Sequence, residues 1–385
     1  MSRFLFVVPP LVGHINPTVG VAARLQADGH EVGWVGPTAA LAGLITPAAP
    51  VQQPAPVFYP SDRPLPDFAV AGRPPTLRGF ASLKFLWEEF LIPLADTMVP
   101  LVDAAVAEFR PDAMLVDQQA LAGALVAERR GIPFATSATT SAELLEPLAE
   151  LPKVAAWLDE LLAGLRSRHG SPDATHDLRF SPYGVLAFST EELVGPAKGD
   201  IVYVGPSITE RPDDTPLPEL DGRPVILVSL GTANAEAGSK FLGTAVEALD
   251  GMPDYQGIVV DPTGQVTDVR RVPQLALLPK CAAVVCHAGH NTVCETLSHG
   301  VPLVVAPIRD DQPIVAQQVV DAGAGVRVRF GRVTVEQLRQ AITEALGHAE
   351  GAGRIQRSFA SAGGAEAAAN WLSELAATRT SELKR

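Results

Sequence analysis

Short apolar runs alternate with longer helical patterns along all 385 residues, as parallel sheets flanked by helices require. "FLFVV" (4–8), "EVGWV" (31–35), "AMLV" (113–116), "IPFAT" (132–136), "VLAFS" (185–189) and "IVYV" (201–204) read as buried strands. The rhythm then breaks at "GPSITERPDDTPLPELDGRP" (205–224), which carries five prolines, interspersed acids and little to bury. It restarts with "VILVSL" (225–230), "GIVV" (257–260), "AAVVC" (282–286) and "PLVVA" (302–306). Two doubly wound α/β domains facing a cleft are the expected architecture, with ligands beyond the C-terminal strand ends. The expected division is an acceptor-side domain over 1–205, a linker over 206–224, a second domain over 225–355, and a helical segment over 356–385 that packs back on the first domain.

Several helix ends are marked. Asn16 is the expected cap of the first helix, Pro17 its first residue and Gly29 its end. In "TVEQLRQAITEALG" (334–347), Thr334 and Gln337 have capping-box spacing, and Val335, Leu338, Ile342 and Leu346 share a face. The segment 50–90 holds eight prolines and the aromatics Phe58, Tyr59, Phe68, Phe80, Phe85, Trp87 and Phe90. It reads as a loop excursion packed on the first domain, or as a wall of an apolar pocket.

Apolar residues make up 47% of the chain and charged residues 19%, which describes a globular protein. A net charge of −13 argues against nucleic acid or an anionic membrane as partner. An anionic ligand must then be held by local groups. Three cysteines, Cys281, Cys286 and Cys294, build no disulfide framework and suit a cytoplasmic protein. No signal peptide is expected from "MSRFLFVVPPLVGH", nor any membrane span elsewhere.

The densest chemistry lies in "CHAGHNTVCETLSHGVPLVVAPIRDDQ" (286–312). A metal is disfavoured: Cys281 and Cys286 are expected on opposite faces of one strand, and His290 with Cys294 makes only two ligands. A well-capped helix accounts for Thr292 and Glu295 as a capping box and for Gly300 as a stop. It leaves His287, the turn at Gly289, the amides of Asn291 and Thr292, and the pair Asp311–Gln312 unexplained. A helix start beyond a strand's C-terminus binds phosphate. Glu295 could accept from a ribose diol, and Asp311 and Gln312 from sugar hydroxyls. Together these features describe a nucleotide-sugar.

"RVPQLALLPKCAAVVCHAGHNTVCETLSHGVPLVVAPIRDDQ" (271–312) resembles the donor-binding box of the family 1 glycosyltransferases, inverting enzymes of the two-domain GT-B fold. "GHINP" (13–17), "SLGT" (229–232) and "YVGP" (203–206) resemble further family motifs, and the bacterial macrolide- and carotenoid-type members are the nearest match. The resemblance implies His14 as the base that deprotonates an acceptor hydroxyl. Its acid partner belongs at another strand end, and of the two acids in "RPDAMLVDQQA" only Asp117 closes the strand, whereas Asp112 opens it. The resemblance also implies Arg271, Val272, Gln274 and Glu295 around the nucleoside. It places Ser229, Gly231, Thr232, His287, Gly289, Asn291 and Thr292 around the diphosphate, and Asp311 and Gln312 around the sugar. Arg271 stands where many members carry tryptophan, and its guanidinium can stack on a base. Phe85, Trp87, Gln118 and Thr139 are the acceptor-side candidates.

No metal and no cofactor beyond the co-substrate is implied; the partners are a nucleoside-diphosphate sugar and a hydrophobic small-molecule acceptor, and the chain is expected to be a monomer or homodimer. Two rivals remain at this point: a nucleotide-sugar epimerase on the same fold, and a non-catalytic helper.

Overall fold

The computed structural model describes residues 1–36, 57–59, 77, 79–145, 148, 151–171, 173–197, 199–209, 215–231 and 235–382. Phe68 and Thr232 lie outside them. The chain forms two compact units: 1–188, 197–211 and 362–385 make the first, and 189–196 with 212–361 the second. Each has its own parallel sheet.

The first sheet has seven strands: β1 (Arg3–Val7), β2 (Glu31–Val35), β3 (Val57–Tyr59), β4 (Ala113–Asp117), β5 (Phe134–Ala138), β6 (Val185–Ala187) and β7 (Ile201–Tyr203). Their order is β3-β2-β1-β4-β5-β6-β7, and every pairing is parallel. The chain winds outward from β1 in one direction, then returns to β4 and winds in the other. The reversal lies between β1 and β4, which pair from Phe4↔Ala113 to Val7↔Val116.

The second sheet repeats this logic with β8 (Val225–Ser229), β9 (Gln256–Val259), β10 (Cys281–Cys286), β11 (Leu303–Val305) and β12 (Gly325–Arg327). Its order, β12-β11-β10-β8-β9, reverses between β8 and β10. A sheet that reverses opens a crevice beyond the C-terminal ends of the two central strands. Each unit therefore has one favoured place for a ligand.

The strand expectations hold to within two residues, while β3 and β12 were not anticipated. Three local readings need correction. The first helix spans Val12–Ala27 and starts from Leu11, so His14 sits in its first turn and Pro17 lies inside it. The Asn16 side-chain oxygen is buried and caps nothing. Asn-Pro imitates a helix start, but burial of Ile15 and Val21 against the sheet pulls the helix back toward β1.

Cys281 and Cys286 both pack on one side of the second sheet, because β10 has an irregularity between Cys281 and Ala283. A bulge reverses the side-chain alternation that the reading of opposite faces assumed. Residues 189–196 join the second unit, where Leu193 enters the core with Leu227 and Val284. A sequence pattern does not show which core claims a short segment. The expected capping box is present: Thr334 Oγ1 accepts from the Gln337 amide, and Gln337 Oε1 from the Thr334 amide.

The helical stretch 79–109 runs continuously through the π-helical segment Phe85–Leu91 and is, by length and composition, apolar enough to cross a membrane. Sequence reading missed it because glutamates and prolines interrupt the apolar letters. Here Trp87, Phe90, Leu94, Met98 and Val102 are buried in the core of the first unit.

The final helix, Gly364–Glu382, returns to the first unit and lies along the first helix. Ala368, Leu372 and Ala376 fill one cluster with Phe4, Phe6, Ile15 and Leu25. The fit is close enough that a Cβ on Gly20 would fall 2.6 Å from Ser207 Oγ and 3.2 Å from the Ala365 Cβ. Leu372 is fully buried there. Leu372→Ala should therefore destabilise the first unit by about 2–5 kcal/mol. Urea unfolding followed by tryptophan fluorescence checks this; an unchanged midpoint would mean the helix is not part of that core.

Candidate active site

In the first unit three consecutive strand ends converge. Asp117 is the last residue of β4, Thr139 follows β5, and His14 faces them from the helix after β1. His14 Nδ1 lies 3.0 Å from both Asp117 oxygens and 2.7 Å from Thr139 Oγ1. Thr139 Oγ1 donates to Asp117 Oδ2 at 3.0 Å, and the Gln119 amide donates to Oδ1 at 2.9 Å. Asp117 is fully enclosed apart from these partners. A carboxylate only accepts, so the ring nitrogen facing it carries the hydrogen, which makes Nε2 the basic atom. Asp112, at the opposite end of β4, accepts from the Arg3 amide at 2.8 Å and is structural.

Beside Asp117 lies a narrow recess lined by Leu86, Trp87, Leu91, Gln118, Glu143 and Arg179. Gln118 is buried, and its side-chain oxygen and nitrogen have no partner among the described residues. Phe85, two residues from Trp87, is half-buried in the same π-helical segment.

In the second unit the reversal between β8 and β10 brings Gly231 against His287. A Cβ on Gly231 would lie 3.0 Å from the imidazole, and one on Gly289 only 2.5 Å away. Both positions need glycine for the ring to fit, which assigns a steric role to two residues expected at the diphosphate. Ser229, half-buried, ends β8 opposite Cys286. Ala288, between His287 and Gly289, has φ 65°, and Asp310 in the turn after β11 has φ 56°. Left-handed backbone at non-glycine residues costs about 1–2 kcal/mol and concentrates where geometry is imposed.

The helix His290–Ser298 starts from Gly289 with no side-chain cap. Thr292 and Glu295 therefore do not form a capping box, since the helix begins too early for that spacing to reach its first turn. Thr292 instead lends its carbonyl to Thr296 Oγ1, and its amide, like that of Asn291, lies in the first turn. Glu295 is buried and accepts from Gln274 Nε2 at 2.6 Å, so these two candidates are brought together. Gln312 Oε1 accepts from the Ile308 and Arg309 amides, and Asp311 precedes the helix Gln312–Asp321. Arg271 is exposed. The Val272 side chain is buried in the cluster that holds Leu277, Leu278 and Val293, which leaves its main chain for a ligand. Among the described residues no three His, Cys, Asp or Glu side chains gather as a metal site.

Residues 256–375 match the family described as "Erythromycin biosynthesis protein CIII-like, C-terminal domain". The chain is 28% identical to an NDP-glycosyltransferase of Bacillus licheniformis over 94% of both chains. It is 29% identical to 4'-demethylrebeccamycin synthase of Lentzea aerocolonigenes, covering 90% of this chain and 92% of that protein. The crystal structure of the glycotransferase of kitacinnamycin superposes with a TM-score of 0.75 at 25% identity, over 97% of this chain and 99% of that one. The chain is a GT-B glycosyltransferase. The epimerase and helper readings are thereby set aside.

Sequence reasoning on this glycosyltransferase missed three contributors: the Gln119 amide, the strained Ala288, and Arg309, whose charge reaches His287. A main-chain amide and an alanine carry no chemical signature in the sequence, and nothing in the spacing of Arg309 places its charge near His287. Thr139, an acceptor-side candidate by sequence, lies within hydrogen-bonding distance of both His14 and Asp117.

Burial, aided by the nearby Arg309 charge, lowers the His287 pKa to about 4. Its Nδ1 is buried without a partner among the described residues. The transferase thus holds this imidazole neutral at pH 7, as a hydrogen-bond donor rather than a cation. The unfolded chain binds the proton near pH 6.5 and the folded one does not, so the stability from this group is present above pH 6.5 and lost as pH falls toward 4. Between pH 7.5 and 4.5 the second unit of the native protein should lose on the order of 2 kcal/mol more stability than His287→Asn. Denaturant unfolding at both pH values measures this, and parallel losses in the two proteins would rule out the buried neutral imidazole.

Proposed function

We propose that this enzyme transfers a sugar, with inversion, from a nucleoside-diphosphate sugar to a hydroxyl of a hydrophobic secondary metabolite. The observation that carries the reading is His14 Nδ1 held 3.0 Å from both oxygens of the buried Asp117. His14 Nε2 takes the acceptor's proton as the acceptor oxygen bonds to the anomeric carbon. The nucleoside diphosphate leaves with the electrons of the broken bond. Asp117 favours the imidazolium that forms and fixes the ring's tautomer. A single displacement by an activated hydroxyl inverts the anomeric centre.

For the donor, the helix start at 289–292 supplies amides toward phosphate, with His287 as a neutral N–H donor. The leaving charge is met by these groups, without a cofactor or metal. Gln274 and Glu295 form the ribose site, and Asp311 and Gln312 face the sugar. The relatives named for nucleoside-diphosphate sugars and for rebeccamycin support this substrate pair. Trp87, Phe85 and Gln118 belong to the acceptor side, in a soluble cytoplasmic enzyme.

A thermal-shift screen of nucleotide-sugars identifies the donor, because a bound ligand raises the melting temperature. With that donor, His14→Ala should lower turnover about 10²–10⁴-fold while the donor Kd stays within a factor of a few. Near-normal turnover would remove histidine from the mechanism. Glu295→Gln should weaken the donor about tenfold or more, since hydrogen bonds to a charged group contribute roughly 1.5–3 kcal/mol and an amide accepts at one atom only. Calorimetry decides this, and an unchanged Kd would withdraw the ribose assignment.

A further inference from the structure

Thr139 is only 4% exposed, and its hydroxyl meets both His14 and Asp117. The hydroxyl has one hydrogen, which goes to Asp117 Oδ2 at 3.0 Å. One of its two lone pairs meets His14 Nδ1 at 2.7 Å, closer than either Asp117 oxygen. The opposite arrangement, with the Thr139 hydrogen on a bare Nδ1, would aim that nitrogen's lone pair at two carboxylate oxygens 3.0 Å away, with no hydrogen between them. The hydroxyl's only hydrogen is thus committed to the carboxylate, and an acceptor molecule could meet no more than its second lone pair.

We propose that Thr139 is a positioning residue of the base, the third member of a His14–Thr139–Asp117 assembly. This rests on His14 being the base. The Nδ1 hydrogen is shared between the carboxylate and the threonine oxygen, and the threonine hydrogen ties that oxygen back to the carboxylate. The threonine oxygen adds a shorter contact at Nδ1 to the two from the carboxylate, which narrows the positions the ring can take. Strand register builds it: Asp117 pairs with Ser137, so the residue two beyond Ser137 reaches past the end of β4 to the carboxylate. No proton passes through Thr139 during the reaction. The acceptor's proton goes to Nε2, the Nδ1 hydrogen stays in place, and Thr139 keeps its own.

The test compares Thr139→Val, which keeps the shape, with Thr139→Ser, which keeps the hydroxyl, alongside His14→Ala. The assay uses the donor selected by thermal shift and phenols graded in acidity as acceptors. Thr139→Val should lower kcat roughly 10- to 100-fold, the range for hydrogen bonds involving charged groups, with the donor Kd unchanged. Thr139→Ser should stay within about threefold of the native enzyme. The Val defect should shrink for the most acidic phenols, which need the base least. A structural role would not produce that gradient.

Native kcat in Thr139→Val, or a Ser variant as slow as the Val variant, would overturn the proposal while leaving His14 as base. Native turnover in His14→Ala would instead overturn the base reading itself. Should Thr139→Val fail to fold, Thr139→Ala replaces it against the same Ser control.

Discussion

Everything chemical in this molecule hangs on the reversal of winding in each sheet. In a parallel sheet wound in one direction, the crossover connections cover the ends of the strands. Where winding reverses, two adjacent strands send their chains to opposite sides, and the space beyond their ends stays open. β1 and β4 do this in the first unit, β8 and β10 in the second. The first reversal delivers His14 and Asp117, from residues a hundred apart, to hydrogen-bonding distance. The second brings Gly231 so near His287 that a Cβ on it would fall 3.0 Å from the ring.

The two places solve opposite electrostatic problems. In the first, a carboxylate is enclosed and every contact to it is a donor: the His14 ring, the Thr139 hydroxyl and the Gln119 amide. Burying such a group without those donors would cost several kcal/mol. The same contacts that offset its burial also aim the imidazole. In the second, no acid among the described residues pairs with the imidazole. Burial and Arg309 hold it neutral, and two glycines close on it in place of a counter-charge. A histidine with an acid takes protons readily. One without is a fixed donor, suited to an oxygen that gains negative charge.

Strain is placed with the same economy. Of the non-glycine residues with left-handed backbone, Ala288 and Asp310 lie in the turns that follow β10 and β11, the strands that carry the donor-site candidates. The Ala288 side chain is fully buried in the core of the second unit, so packing on one side of the turn holds the conformation that presents His287 and Gly289 on the other.

Much of this was legible in the letters. Alternating apolar runs and helical stretches dictate parallel sheets, because a strand buried on both faces must be apolar throughout. The spacing from Arg271 to Gln312 carries most of the donor-site candidates, since they lie along one continuous stretch of chain, while Ser229, Gly231 and Thr232 come from the stretch 229–232 that begins at the end of β8. Thr334 and Gln337 announced their capping box, which is a local interaction. What the letters did not carry was decided by packing across the chain. Whether Glu295 caps a helix or meets Gln274 depends on where the helix begins, and the strained turn after β10 sets that start. Whether Thr139 faces a ligand or the base depends on the register of β5 against β4. Whether Val272 faces a ligand or the core depends on the cluster behind it. A sequence lists the groups able to do chemistry; only distances between residues far apart in the chain decide which of them have a hydrogen-bonding site left to offer.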